Sequence, residues 1–151
     1  DANQSKNEEL NNLRLLKIDD QSKILIVSYG VLVNRAIKVS EMLDKKMKLK
    51  VDVASMPLVS PLDWPQIQID IASYSLVCIL EEHQDIGSIG LQFAANSELR
   101  NKVIHRINLG SKFVKSYGTY EEILDASGLS VEVISNEIFR EFLAVNNLGI
   151  R

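Results

Sequence analysis

Chemistry in this chain concentrates in one place, the run Glu81-Glu82-His83 followed closely by Gly87-Ser88-Ile89-Gly90. Two carboxylates and an imidazole are the ordinary material of proton transfer, and with further donors they hold a metal ion. A carboxylate pair perturbs its own acidity only when the two side chains converge. Glu81 and Glu82 are neighbours at the end of an apolar run that reads as a strand, so they point to opposite faces. The other histidine, His105, falls on a different predicted strand, which leaves the ligand set short. The expectation is a solvated or interface-facing acidic strand end, with no catalytic or metal residue. The glycines that follow open a helix, and free amides with the helix dipole suit an anion. They lack the Gly-x-Gly-x-x-Gly fingerprint and the Gly-Lys-Ser/Thr ending of a phosphate loop. A structural role, letting the helix start close to the sheet, is the favoured reading. Gly30 poses the same pair of alternatives, in a strand–glycine–helix turn with no lysine beside it.

The remaining reactive side chains point away from chemistry. Cys78 lies among Leu76, Val77, Ile79 and Leu80, where a thiol is buried and inert rather than activated. No Gly-x-Ser-x-Gly elbow is present for a serine hydrolase. Trp64, the single tryptophan, suits a core plug or an interface anchor. Lys45, Lys46, Lys48 and Lys50 read as a solvated helix end, with positive charge well placed against the helix dipole.

The elements that position these residues follow from periodicity. Lys23–Tyr29 is short, apolar and β-branched, as a strand buried on both faces would be. After Gly30 a helical stripe runs through Val33, Ala36, Ile37, Ser40, Leu43 and Met47, with Arg35, Lys38, Asp44 and Lys45 assigned to the polar side. Lys50–Ser55 is a second strand, which completes a βαβ unit with parallel strands. Asp63 as cap and Pro65 in the first turn predict a helix, although Ile67, Ile69 and Ile71 alternate as in a strand. Ser75–Glu81 and Val103–Asn108 supply two further strands, with helical spacing at Ile89, Phe93 and Ala94 between them. Thr119 and Glu122 form a capping box, Gly128 ends that helix, and Ser130 caps a last one in which Ile134, Ile138, Phe142 and the Phe139/Leu143 pair share a face. Strands alternating with helices predict an α/β fold with a mostly parallel sheet. Residues 1–12 are a polar extension with a turn of helix at Lys6–Asn12, and residues 13–151 are one domain.

Composition sets the bounds. The chain has 151 residues, 46% of them apolar, and a formal charge of −3, enough to bury a full core without staples. The acidic balance argues against nucleic acid, and no apolar stretch reaches the length that spans a bilayer. A single cysteine cannot form an internal bridge, so a cytoplasmic setting is expected.

The order of these landmarks resembles the C-terminal domain of transketolase-type, thiamine-diphosphate-dependent enzymes. The corresponding pieces are ILIVSYG with its helix, VDVASMPLVSPLD, LVCILEEHQDIGSIG, and the tail YGTYEEILDASGLSVEVISNEI. The resemblance implies a three-layer α/β/α fold on a five-stranded mixed sheet, with Leu13–Ile18 as an antiparallel strand. It implies an assembly or dimerisation domain, or a short subunit, of a transferase moving two-carbon ketol units between sugar phosphates. Thiamine diphosphate and a divalent metal (Mg) then belong to upstream domains or a partner subunit of a homodimeric enzyme, with no cofactor held in this domain. The cofactor's Gly-Asp-Gly signature with its following asparagine is absent, so no catalytic or cofactor residue carries over. The family's second loop glycine is Ser88 here. Gly30, Glu81, Glu82, His83, Gly87, Ser88 and Gly90 remain as an interface or anion loop. The alternatives are a regulatory small-anion-binding module, a deoxyxylulose-phosphate synthase domain, or a 2-oxoacid dehydrogenase β-subunit.

Overall fold

The computed structural model describes residues 12–111 and 117–147, and the helical turn expected at Lys6–Asn12 lies, apart from Asn12, outside them. Strands Arg14–Lys17 (β1), Ile24–Ser28 (β2), Asp52–Ser55 (β3), Leu76–Leu80 (β4) and Val103–Ile107 (β5) form one sheet in the order β1-β3-β2-β4-β5. β2 to β5 are parallel, and β1 runs antiparallel beside β3. The helices are Leu32–Met47 (α1), Trp64–Asp70 (α2), Ile89–Ala95 (α3), Tyr120–Leu124 (α4) and Val131–Asn147 (α5). This is the three-layer fold with a mixed, mostly parallel sheet.

The two layers follow from side-chain alternation. Ile24, Ile26, Leu76, Cys78 and Leu80 pack with α1 and α5, while Leu25, Val27, Val77 and Ile79 pack with α2 and α3. Every residue of β2 and β4 is therefore buried, which is why both read as unbroken apolar runs. The strand order reverses between β2 and β4, and their carboxyl ends flank the crevice where open α/β sheets hold ligands.

At α2 the capping chemistry prevails over the alternation. The Asp63 carboxylate accepts the Gln66 amide at 3.1 Å. Ile67 and Ile71, four apart, are fully buried, whereas Ile69 is 68% exposed. The helix α1 ends on Lys48 at φ 55°, with its amide on the Asp44 carbonyl at 3.1 Å and the Leu49 amide on the Leu43 carbonyl at 3.2 Å. The four lysines are solvated as expected, and Lys50 pairs with Asp44 at 2.9 Å. Thr119 and Glu122 cap each other reciprocally. A π-helical turn, Asp125–Leu129, follows α4 and contains Gly128 at φ 84°. On α5 the fold leaves Leu143, expected on the shared apolar face, 44% exposed.

Arg35 corrects the polar face assigned to α1. It is buried, and its guanidinium donates to Asp125 at 2.6 Å, to the Leu129 carbonyl at 2.5 Å, and to Glu121. The position lies beside Leu32, Ala36 and Val39 on the inward stripe. A planar fork with five donors can be buried there because α4 and the turn after it present acceptors. Arg35 thus ties the C-terminal helices to α1.

Two consequences can be measured by urea unfolding. Ile67→Ala costs about 2–5 kcal/mol, whereas Ile69→Ala stays within about 0.5 kcal/mol; the reverse order would restore the strand reading. Arg35→Ala costs about 1–3 kcal/mol, because the Leu129 carbonyl loses its donor while the two half-exposed acids return to water.

Candidate functional site

The crevice between β2 and β4 is bounded by Ser28-Tyr29-Gly30 on one side and Glu81-Glu82-His83 on the other. Glu81 and Glu82 diverge, as strand geometry requires. Glu81 is fully buried, not solvated. Its backbone amide continues the sheet by donating to the Ile107 carbonyl at 3.0 Å, which turns the side chain inward. One carboxylate oxygen accepts the Gly90 amide at 2.9 Å, and the other accepts the Ile89 amide at 2.9 Å and the Tyr29 hydroxyl at 3.0 Å. The carboxylate therefore sits on the first amides of α3, where an external anion would otherwise bind.

The surrounding residues are shaped to this carboxylate. A Cβ on Gly90 would lie 2.8 Å from Oε1 of Glu81 and 3.0 Å from Cγ of Arg106, so only glycine fits. Ser88 is the buried cap of α3. Its hydroxyl accepts the Leu91 amide at 3.0 Å and donates to the Asp85 carbonyl at 3.0 Å. A glycine there could not supply that cap. Gly87 makes the turn before it at φ +80°. Across the crevice, the Ser28 hydroxyl donates to the Leu80 carbonyl at 2.8 Å. Burial and the Glu81 carboxylate push the Tyr29 phenol above its ordinary value.

Glu82 and His83 face outward. Glu82 accepts the Tyr120 hydroxyl at 2.6 Å, and burial together with that carboxylate pushes the phenol up to about 12. Among the described residues, the His83 ring hydrogen-bonds the Gln84 carbonyl at 2.8 Å. Gly30 is exposed at φ +60° with open space around its Cβ position. His105 lies elsewhere, on β5, 2.7 Å from Glu137 of α5. Among the described residues no three His, Cys, Asp or Glu side chains converge on a metal position. Cys78 is buried, and desolvation raises its thiol well above the usual range. Trp64 is half-buried against Phe93, edge to face at 5.3 Å.

The crevice is thus sealed by internal polar bonds. Proximity of Tyr29 and Gly90 to Glu81 was not read from the sequence. The available signal was a glycine nine positions after a strand-end carboxylate, at the start of a helix.

Comparison with known proteins places this architecture in a class and then in a family. The fold is that of transketolases: a split-gene transketolase superposes with a TM-score of 0.70 at 22% identity, over 87% of this chain and 42% of that one. The transketolase of Campylobacter jejuni superposes at 0.58 with 19% identity, over 87% of this chain and 19% of that one. The family model for the transketolase C-terminal domain matches residues 14–134. The chain belongs to the transketolase C-terminal domain family. It is 31% identical over 119 residues to the 1-deoxy-D-xylulose-5-phosphate synthase of Rhodopirellula baltica, which covers 77% of this chain and 18% of the relative. It is 33% identical over 136 residues to the same synthase of Francisella tularensis subsp. mediasiatica, covering 86% of this chain and 20% of the relative. The chain thus spans about a fifth of the length of these curated relatives.

Truncating Glu81 leaves two amides and a phenol without their acceptor. Glu81→Ala is expected to cost about 3 kcal/mol and Glu81→Gln less, since one acceptor oxygen remains; equal stability of all three proteins in urea would contradict the geometry. Tyr29 ionises at higher pH in the folded chain than in the unfolded one. Its contribution is complete below about pH 10 and is lost as pH climbs toward the folded value. Tyr29→Phe should therefore make the alkaline fall in stability shallower, as read by unfolding at stepped pH.

Proposed function

We propose that this chain is the C-terminal assembly domain, or a short subunit, of a transketolase-type enzyme. It supports the dimer in which thiamine diphosphate is bound by other domains and two-carbon ketol units pass between sugar phosphates. Residues 13–151 form the domain, residues 1–12 are an extension, and the setting is cytoplasmic, consistent with a single buried thiol.

The observation that carries the reading is Glu81. The position where an α/β sheet offers helix amides to a phosphate is taken by the protein's own carboxylate. A diphosphate at that place would meet a buried like charge. The residues present do not fit thiamine diphosphate, so no step of the reaction is routed through this domain. The same seal counts against the regulatory anion-binding alternative at Gly30 and Gly87–Gly90.

One observation favours a second activity for the whole enzyme. The curated relatives named above are synthases of 1-deoxy-D-xylulose 5-phosphate. The donor would then be pyruvate and the acceptor glyceraldehyde phosphate. Assay of the enzyme isolated from its source with each substrate pair separates the two.

Calorimetric titration of the isolated chain with thiamine diphosphate and magnesium should give no saturable heat. Saturable binding would overturn the division of labour.

A further inference from the structure

Between α1 and α4 lies a cleft of about 300 Å³ that the residues around Glu81 do not line. Its apolar lining is Val31, Leu32 and Leu124, with the ring of Tyr120 beside them. Leu32 and Leu124 are buried, whereas Val31 is 64% exposed and Tyr120 is 41% exposed. Glu82 accepts the Tyr120 hydroxyl at 2.6 Å and so fixes the ring in place. The volume falls at the small end of small-molecule sites, which join an apolar lining to a few placed polar groups.

The polar lining carries an excess of positive charge. Among the described residues that line the cleft, Arg35 and Lys38 are cationic and Glu121 is the one acid. Glu121 is already paired with Arg35, and exposed Lys38 pairs with no acid among the described residues. α1 begins here with no side-chain cap and no acid in its first turn, so its positive end adds to the excess. Arg35 also has donors to spare. A guanidinium carries five N–H groups; among the described residues one goes to Asp125, one to the Leu129 carbonyl and one to Glu121. Donors left over on a buried cation are costly unless water or a ligand meets them, and Arg35 reaches the cleft. The turn that supplies two of its acceptors, Asp125–Leu129, is π-helical, a rare conformation that recurs at functional sites.

We propose that the α1–α4 cleft binds a small amphipathic anion, with a carboxylate or phosphate head on Arg35 and Lys38 and an apolar body against Val31, Leu124 and the Tyr120 ring. The oxygens of such a head suit the spare donors of the guanidinium fork and the Lys38 ammonium. The body covers the Val31 side chain that the fold leaves in water. Bound there, the ligand bridges α1 and α4 and adds to the tie that Arg35 makes between them. Inorganic phosphate or a neutral alcohol would each match only half of the cleft.

The test is amide-resolved NMR titration of the isotope-labelled chain with phenyl phosphate and, separately, with phenylacetate. The expected result is saturable shifts at Val31–Lys38 and Tyr120–Leu124 with at least one of them, the tighter ligand naming the head group. Benzyl alcohol and inorganic phosphate should bind about tenfold more weakly, and Lys38→Glu should weaken the anion by about the same factor, while Lys38→Arg keeps it. Lys38 is exposed, so the urea midpoint of Lys38→Glu should match that of the parent and separate lost binding from a lost fold. No saturable shift with either anion into the millimolar range would overturn the site. Undiminished binding by Lys38→Glu, or benzyl alcohol as tight as the anions, would overturn the anionic class. Inorganic phosphate as tight as phenyl phosphate would overturn the apolar half. Shifts centred on Gly30 and Gly87–Gly90 would overturn both this site and the seal at Glu81.

Discussion

A carboxylate buried in a protein must be met by hydrogen-bond donors, and this requirement organises the end of the sheet around Glu81. Its two oxygens collect the first amides of α3 and the hydroxyl of Tyr29. Strand β4, helix α3 and the turn after β2 are thereby joined at one point. The helix dipole favours the negative charge, and the charge in turn fixes where the helix begins. Gly90 admits the close approach, Ser88 caps the next amide, and Arg106 closes the space behind the glycine.

Much of the frame was legible because local and global signals agreed. The buried runs of β2 and β4, the Asp63 cap with Pro65, and the Thr119–Glu122 box each specify one element with little competition. The alternating isoleucines after Trp64 show how such conflicts resolve. The cap and the spacing of Ile67 and Ile71 satisfy a helix, and only Ile69 is left in water. What escaped was charge in the interior. Arg35 and Glu81 look like surface residues by type, and burial of either depends on acceptors or donors far away in sequence. Glu121, Asp125 and the Leu129 carbonyl are brought to Arg35 from 86 to 94 residues further along the chain. No local window contains that information. Strand β1 was likewise undecided by pattern, since as an edge strand it exposes Leu15 and Leu16 on both faces; the family resemblance supplied it.

A domain can serve an enzyme without touching its substrate. Here the helix amides that other α/β sheets offer to a ligand are taken by the protein's own carboxylate. A carboxylate bonded from three sides holds the β4–α3 loop at its root. The same match to the transketolase C-terminal domain family, over residues 14–134, takes in β4, α3 and the Glu81 carboxylate between them.

The end of α1 offers a separate opportunity. Lys48 adopts a left-handed conformation that costs a residue with a side chain about 1 kcal/mol or more, and it does so at an exposed helix terminus, at the opposite end of the sheet from Glu81. Asparagine tolerates that conformation well, and glycine tolerates it better, though glycine gives back part of the gain through its freer unfolded chain. The position is therefore a reserve of thermal tolerance for an engineer: the protein could be hardened there with its crevice, its carboxyl-end loops and its C-terminal helices all left as they are.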